Sequence, residues 1–419
     1  MKKCVLGDYI LDMASGPFGS NLKVECFVSS GFPIIDGANL YGVRVTDNVT
    51  KFVTEEKARS LSRSIAKRHD VIVTISGTLG QVAYIPSDSL YEEYLCSQRQ
   101  FRVTFDESKI DVEYLVNLLH TDYGQKKILS FANYVGVPAL SQPLPNFRRI
   151  ELELPAIEKQ HEIANIISTI DRKIALNRKR IATLEAMAKE IYDYWFVQFD
   201  FPDAHGRPYK SSGGAMVYNP DLKREIPKGW EVKALGKLMK TNASSYSDRT
   251  LPSRIKYIDI SAVSNGVISS KTEYDRDSAP GRARRIANRG DTIWSSVRPN
   301  LKAYALVLNP QEDDVFSTGF TVLSPVDVPY GFLYFTVTAE AYVSYLVSRA
   351  GNSAYPAVLP SAFGEYEIAV PPRDLLDRFA CQTEGMFELR QNCFDETQSL
   401  SSLRDFLLPL LMNGQVKVG

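Results

Sequence analysis

The chain has 419 residues, 44% of them hydrophobic and 23% charged, which suits a globular protein of two to three domains with apolar material for at least two cores. Lysine plus arginine equal aspartate plus glutamate, 49 each, so the basic excess of a self-sufficient nucleic-acid binder is missing, although local basic patches or phosphate contacts from a partner are compatible with that balance. No run of about 18 uninterrupted apolar residues occurs, and the opening MKKCVLGDYILDMASG lacks the apolar stretch of a secretory signal, so no membrane association is expected.

Up to residue 152 the chain reads as mixed α and β. VIVTI, VAYI, FRVTF and RIELEL are β-branched and aromatic runs bounded by Gly, Pro, Asp and Ser, while VEYLVNLLH, from Val112 to His120, has helical spacing. From Pro155, well placed in a first helical turn, Gly and Pro almost vanish. Ile163, Ile167, Ile170, Ile174, Asn177, Ile181, Leu184, Ala188, Ile191 and Trp195 step by alternating fours and threes, a heptad seam. Roughly 40 residues of helix make a rod of about 60 Å, more than one small domain needs. Asn177 either fixes the register of this seam or lies at a partly exposed end of it. The stretch DFPDAHGRPYKSSGGAMVYNPDLKREIPKGW, from Asp200, is rich in Gly, Pro, Ser and Asp and reads as a linker. YIDI, TIW, YALVL and YEIAV then repeat the strand signals. A second long helix is expected after Pro371 and Pro372, running to about Met412. Its seam is Phe379, Gln382, Met386, Leu389, Cys393, Glu396, Leu400, Leu403, Leu407 and Leu410, interrupted in the middle by polar residues. Two such stripes in one chain favour pairing with each other over packing of each on its own domain.

The chain repeats itself. RHDVIVTISGTLGQVAYI, from Arg68, matches NRGDTIWSSVRPNLKAYAL, from Asn288, with Asp70 and Asp291 at an offset of 221. VPAL at Val137 matches YPAV at Tyr355, and ELELP at Glu151 matches EIAVP at Glu367, so the offset drifts to 218 and then 216. A repeat of this length is a domain duplication and not a solenoid. The expected division is a first domain over 1–152, a long helix over 153–199, a linker over 200–228, a second domain over 229–370 and a second long helix over 371–419.

This order resembles the specificity subunits of Type I restriction-modification systems. GPFGSNLK at Gly16 is similar to the family's early glycine-rich loop. DVIVTISGTLGQVAYI at Asp70 and GDTIWSSVRPNLKAYAL at Gly290 are similar to its strand–turn–strand signature. ELPAIEKQHEIANIISTIDRKI at Glu153 resembles the start of its first long helix, and IYDYWFVQFDFP at Ile191 followed by NPDLKREIPKGWEVKALG resembles the end of that helix and the opening of a second recognition domain. The resemblance covers nearly the whole chain. The second copy departs from it: VPPRDLLDRFACQTEGM lacks the EKQ-I pattern, and no GPFGS loop is repeated, so base contacts do not transfer between halves. The resemblance implies an α+β fold with two mixed α/β target-recognition domains, separated by two long helices that form an antiparallel coiled coil, duplicated about a pseudo-two-fold axis. It also implies that each domain reads one half of a split, asymmetric sequence in double-stranded DNA. The coiled coil would set the gap and seat two methyltransferase subunits, through which motor-nuclease subunits join. S-adenosylmethionine, ATP and Mg would belong to those partners, with no cofactor in this chain, and the location would be cytoplasmic.

Readout of bases needs side chains that reach base edges, typically Arg or Lys for guanine and Asn or Gln for adenine. In the first domain Ser76, Thr78 and Gln81 sit in a small polar turn between strands, and Asn21 and Lys23 follow a glycine-rich loop that can approach a backbone closely. In the second, Ser296, Arg298, Asn300 and Lys302 occupy the matching turn, while Arg282, Arg284 and Arg285 form a basic cluster suited to phosphates or a groove. An ordinary solvated loop is the alternative for each.

Enzyme signatures are absent from the sequence. There is no GxxxxGK[ST] phosphate loop and no NPPY or DPPY tetrapeptide of the kind that holds a target base in an amino-methyltransferase. HEIAN at His161 resembles a zinc-binding HExxH but ends in Asn165, which removes one ligand. The five cysteines, Cys4, Cys26, Cys96, Cys381 and Cys393, contain no CxxC pair, so reduced thiols and no metal site are expected. Two other readings compete with a non-catalytic DNA-specificity subunit. A coiled-coil scaffold without DNA binding explains the helices and the charge balance, but not two diverged domains with polar loops. A self-contained DNA-modifying enzyme requires motifs that the sequence lacks.

Overall fold

The computed structural model describes residues 2–351 and 356–416. Residues up to Ala175 together with those from Gln398 onward form one compact unit, and those from Leu176 to Thr397 form the other. Each unit holds a globular lobe and a segment of both long helices.

The two lobes share one strand plan. In the first, a four-stranded sheet runs in the order Ile10–Ser15, Gln100–Phe105, Val71–Thr74, Val82–Tyr84. In the second the order is Met239–Thr241, Phe320–Pro325, Thr292–Ser295, Tyr304–Leu306. Each lobe also carries a second sheet built around one parallel pair, Phe32–Ile35 beside Glu93–Cys96 in the first and Arg254–Ile258 beside Asp314–Ser317 in the second. An antiparallel pair closes each lobe, Lys2–Val5 with Glu151–Leu154 and Glu231–Ala234 with Glu367–Val370. The duplicated landmarks of the sequence are therefore duplicated topology.

The central strands, VIVT and TIWS, are buried on both faces, which is why they read as continuous runs and not as alternating ones. In the first lobe one face of the sheet packs on the helix Val112–His120, whose cap Asp111 accepts the Tyr114 N–H at 2.8 Å. In the second lobe Trp294 is fully buried and its Nε1 donates to the Val337 carbonyl at 2.9 Å. Residues 200–228, expected as a linker from their composition, contain a hairpin of Met216–Asn219 with Arg224–Pro227. Asp200 accepts the Ser211 N–H at 2.7 Å, Phe201 stacks on Trp230, and Ile226 joins the second lobe's core. Asp, Ser and Gly here make side-chain-capped turns, which composition alone does not separate from a tether. Tyr355, a landmark of the repeat, lies outside the described residues.

The long helices span Ile157–Tyr192 and Arg373–Met412, and they pair antiparallel within each unit. In the first unit Ile163 and Ile167 share a core with Leu411 and Met412, and Asp171 meets Arg404 at 2.9 Å. In the second unit Asn177 donates to Glu396 at 2.7 Å, and Glu185 pairs with Arg390. The first helix keeps the expected seam: Ile163, Ile167, Ile170 and Ile174 are buried, and Ile181, Leu184 and Ile191 are half-buried. Asn177 is 0% exposed inside this seam, so it belongs to the register and not to an exposed end.

The second helix differs from its sequence pattern. Met386, Leu400 and Leu407 are half-buried, but Leu389 and Leu403 are 48% and 45% exposed. The adjacent arginines take those two stations. Arg390 is 5% exposed, held by Glu185 and by the Gly266 carbonyl at 2.9 Å, and Arg404 is held by Asp171. A paired arginine can occupy a seam, and counting apolar residues then shifts the pattern by one position.

Two substitutions separate these stations. Arg390→Ala strips Glu185 of its partner and should cost on the order of 3 kcal/mol in denaturant unfolding of the second unit. Leu389→Gln should stay within about 0.5 kcal/mol of wild type. The reverse ranking would contradict the seam described here.

Candidate nucleic-acid interface

In each lobe the chain leaves the buried central strand through a turn, and the same backbone hydrogen bonds hold that turn. In the first lobe the Ile75 N–H donates to the Arg99 carbonyl at 2.7 Å, Gly77 N–H to Pro138 at 2.9 Å, and Leu140 N–H to Ile75 at 2.8 Å. In the second, Ser296 N–H donates to Gly319, Arg298 N–H to Pro356, and Val358 N–H to Ser296, each at 2.8 Å. Isolated bridges join Ser76 to Ala139 and Val297 to Ala357. The repeat landmarks, the strand–turn–strand signature and the Pro-Ala segment, are thus neighbours in space in both lobes. Behind each central strand a buried carboxylate holds the preceding turn: Asp70 accepts from Lys67 N–H at 2.9 Å and Asp291 from Asn288 N–H at 2.8 Å. Burial pushes both carboxyls above the usual range.

The first lobe gathers more at this place than its sequence indicated. Thr78 is exposed at the tip and Ser76 is half-buried. The Gly16 N–H donates to Gln100 O at 2.8 Å, and a Cβ at Gly16 would lie 1.8 Å from the Ser97 carbonyl. Only glycine therefore lets the GPFGS loop run along the turn 97–99. A Cβ at Gly19 would similarly meet the Gln98 side chain at 2.6 Å. Asn21 and Lys23, in the same loop, are exposed. Gln98 and Arg99, both exposed, were not singled out from the sequence, and neither was Tyr134 on the exposed tip of the Pro138 hairpin. Their proximity comes from strand pairing across long sequence separations. Gln81 is committed elsewhere: its Oε1 accepts from the Thr74 hydroxyl at 3.1 Å and its Nε2 donates to Gly37 O at 3.2 Å. That amide ties the sheet to the turn at Gly37.

In the second lobe Arg298 and Lys302 both adopt left-handed backbone, at φ 48° and 53°, flanking the short turn Pro299–Leu301 that exposes Asn300. Arg298 is exposed, and the Lys302 ammonium pairs with Glu340. The Ser296 hydroxyl shares a hydrogen bond with Thr321 at 2.8 Å. The three arginines do not form one patch. Arg282 is exposed, and its carbonyl accepts from Thr318 N–H at 2.7 Å, beside the turn 317–319. Arg284 pairs with Asp248. Arg285 is half-buried and donates to the Ser245 hydroxyl at 3.0 Å, with burial pulling its pKa down. Arg284 and Arg285 lie on the strand Ala283–Arg285, whose pairing register shifts between Ala283 and Arg285.

Among the described residues no group of three or more His, Cys, Asp or Glu is placed to hold a metal ion, and no helix is long and apolar enough to cross a membrane.

Comparison with known proteins places this arrangement. The family model described as the Type I restriction modification DNA specificity domain matches residues 27–186. The Type I restriction enzyme MjaIX specificity subunit of Methanocaldococcus jannaschii is 23% identical over 372 residues, covering 87% of this chain and 82% of that protein. The HindI specificity subunit of Haemophilus influenzae is 24% identical over 324 residues, 64% of this chain and 69% of that protein. In fold, the chain is similar to the crystal structure of the Type I restriction-modification S subunit from M. genitalium, with a TM-score of 0.64, 16% identity, and coverage of 98% of this chain and 95% of that one. With the duplicated lobes and paired helices, the chain is similar over most of its length to the specificity subunits of Type I restriction-modification systems, and residues 27–186 match the model of that family's DNA specificity domain.

Proposed function

We propose that this chain recognises double-stranded DNA and catalyses nothing itself, each lobe reading one half of a bipartite, asymmetric site. The recognition lobes are assigned to residues 1–152 and 229–370. The paired helices set the spacer and dock two methyltransferase subunits, and motor-nuclease subunits join through them. S-adenosylmethionine, ATP and Mg are then handled by those partners. The observation that carries the reading is the repeated turn, fixed by the same backbone bonds in both lobes but furnished with different side chains: Ser76, Gly77 and Thr78 in one, Val297, Arg298 and Pro299 in the other. A fixed frame with exchanged letters is what reading two different half-sites requires. Equal numbers of acidic and basic residues fit a complex in which partners supply much of the phosphate contact. A scaffold without DNA binding explains the helices but gives no use for that duplicated turn.

Single-molecule sequencing of adenine methylation tests the reading in cells with the gene intact, deleted, or altered in one lobe. Deletion should abolish one split, asymmetric methylated motif, and altering one lobe should change only half of it. An unchanged set of motifs, with a partner methyltransferase demonstrably active, would sink the proposal.

Arg282→Ala should weaken binding about equally at all sequences and reduce the slope of log affinity against log salt by about 1, as for loss of one phosphate contact. Titrations at several salt concentrations measure this. A changed base preference with an unaltered slope would contradict the phosphate role.

A further inference from the structure

The matching hydrogen bonds define which positions of the two lobes are equivalent. Ile75 N–H to Arg99 O corresponds to Ser296 N–H to Gly319 O, and Gly77 N–H to Pro138 O corresponds to Arg298 N–H to Pro356 O. Gly77 therefore stands where Arg298 stands, and Arg99 where Gly319 stands. The backbone agrees, because Gly77 and Arg298 both have positive φ, 96° and 48°. The lobes have exchanged a glycine and an arginine between two facing turns.

The exchange has a steric logic. A Cβ built on Gly77 would lie 3.8 Å from Nη1 of Arg99, so the guanidinium in the first lobe reaches across the turn to stand beside the residue without a side chain. In the second lobe the facing turn carries glycine, and the guanidinium is supplied by the left-handed residue itself. Arginine has no local hydrogen bond that eases left-handed backbone, unlike Asn or Asp. Its presence at φ 48° on an exposed turn is the kind of retained strain that marks a functional position. Both arginines are exposed, and Arg99 makes no ion pair with another described residue. Each stands beside small hydroxyl residues, Ser76 and Thr78 in one lobe and Ser296 in the other.

We propose that Arg99 and Arg298 are equivalent base-reading residues, one guanidinium per lobe, each presented to a guanine in the major groove of its half-site. The rigid fork of N–H donors matches guanine O6 and N7 together, whereas a phosphate contact needs no such fixed presentation. This rests on the proposed DNA-reading function and adds the residue and the base class. It also accounts for the missing transfer of side chains between halves: the reading arginine changes strand, so aligning the two copies pairs each arginine with a glycine.

The test is selection of duplexes from a randomised library by the full chain with its partner subunits, for wild type, Arg99→Ala, Arg99→Lys and Arg298→Ala. Arg99→Ala should erase a guanine preference at one position of one half-site and lower affinity for the selected site by about 5- to 100-fold, with affinity for unrelated duplex nearly unchanged. Arg298→Ala should do the same in the other half only. Arg99→Lys, which keeps the charge and disturbs folding least, should retain non-specific affinity but still blunt the guanine preference. Uniform weakening at all sequences with the preference intact would make these phosphate contacts and overturn the proposal, as would no change in either. A wild-type complex that enriches no sequence would show that the DNA-reading function has failed, before any variant is compared.

Discussion

Each lobe depends on one backbone constraint, the residue in left-handed conformation two positions beyond the hydrogen-bonded end of the central strand. At Gly77 and Arg298 this conformation turns the chain so that its N–H meets a proline carbonyl on a neighbouring segment. That bond and its flanking pair hold three chain segments together at the mouth of a fully buried strand. Behind the turn, Asp70 or Asp291 closes the preceding bend with a buried carboxylate. The frame is therefore made almost entirely of backbone and buried groups. Side chains on its outer surface can change without cost to the frame, which is the property a module for reading varied sequences needs.

The helices follow a different logic. Their seam contains three polar stations, Asn177 against Glu396, Glu185 against Arg390, and Asp171 against Arg404. Such pairs add little net stability compared with apolar residues of similar volume. They discriminate between registers, because a slip of one heptad would take the buried Arg390 guanidinium from Glu185 to Arg178 or Tyr192. Arg390 adds a second link, since its guanidinium also holds the Gly266 carbonyl of the second lobe. The turn joining the paired segments Val263–Ser264 and Val267–Ile268 and both helices within that unit are thereby fixed to one side chain.

Much of this was legible in the sequence. The duplication showed through landmarks at Asp70, Val137 and Glu151, because buried strands and a proline-containing segment tolerate little change. The isoleucine stripe of the first helix was equally plain. The second helix was harder: Leu389 and Leu403 fit an apolar repeat, yet Arg390 and Arg404 occupy the seam, and no count of apolar residues detects an arginine paired across helices. Gln98 and Arg99 went unnoticed because their positions beside Gly19 and Gly77 arise from pairing Gln100–Phe105 with Ile10–Ser15 and with Val71–Thr74, contacts that local pattern does not encode. Gln81, Lys302 and Arg284 looked free as polar loop residues, but each has an internal partner that only the folded chain supplies.

The central claim is that two separately built turns address two separate stretches of one duplex. A hydroxyl-radical footprint of the full chain with its partner subunits, on the duplex it selects, tests this most directly. The account predicts two protected patches with an unprotected gap, spaced by about one helical turn of ~34 Å or a multiple of it, and loss of one patch alone when residues 76–78 are replaced. A single continuous patch, or loss of both patches together with the fold intact, would contradict it.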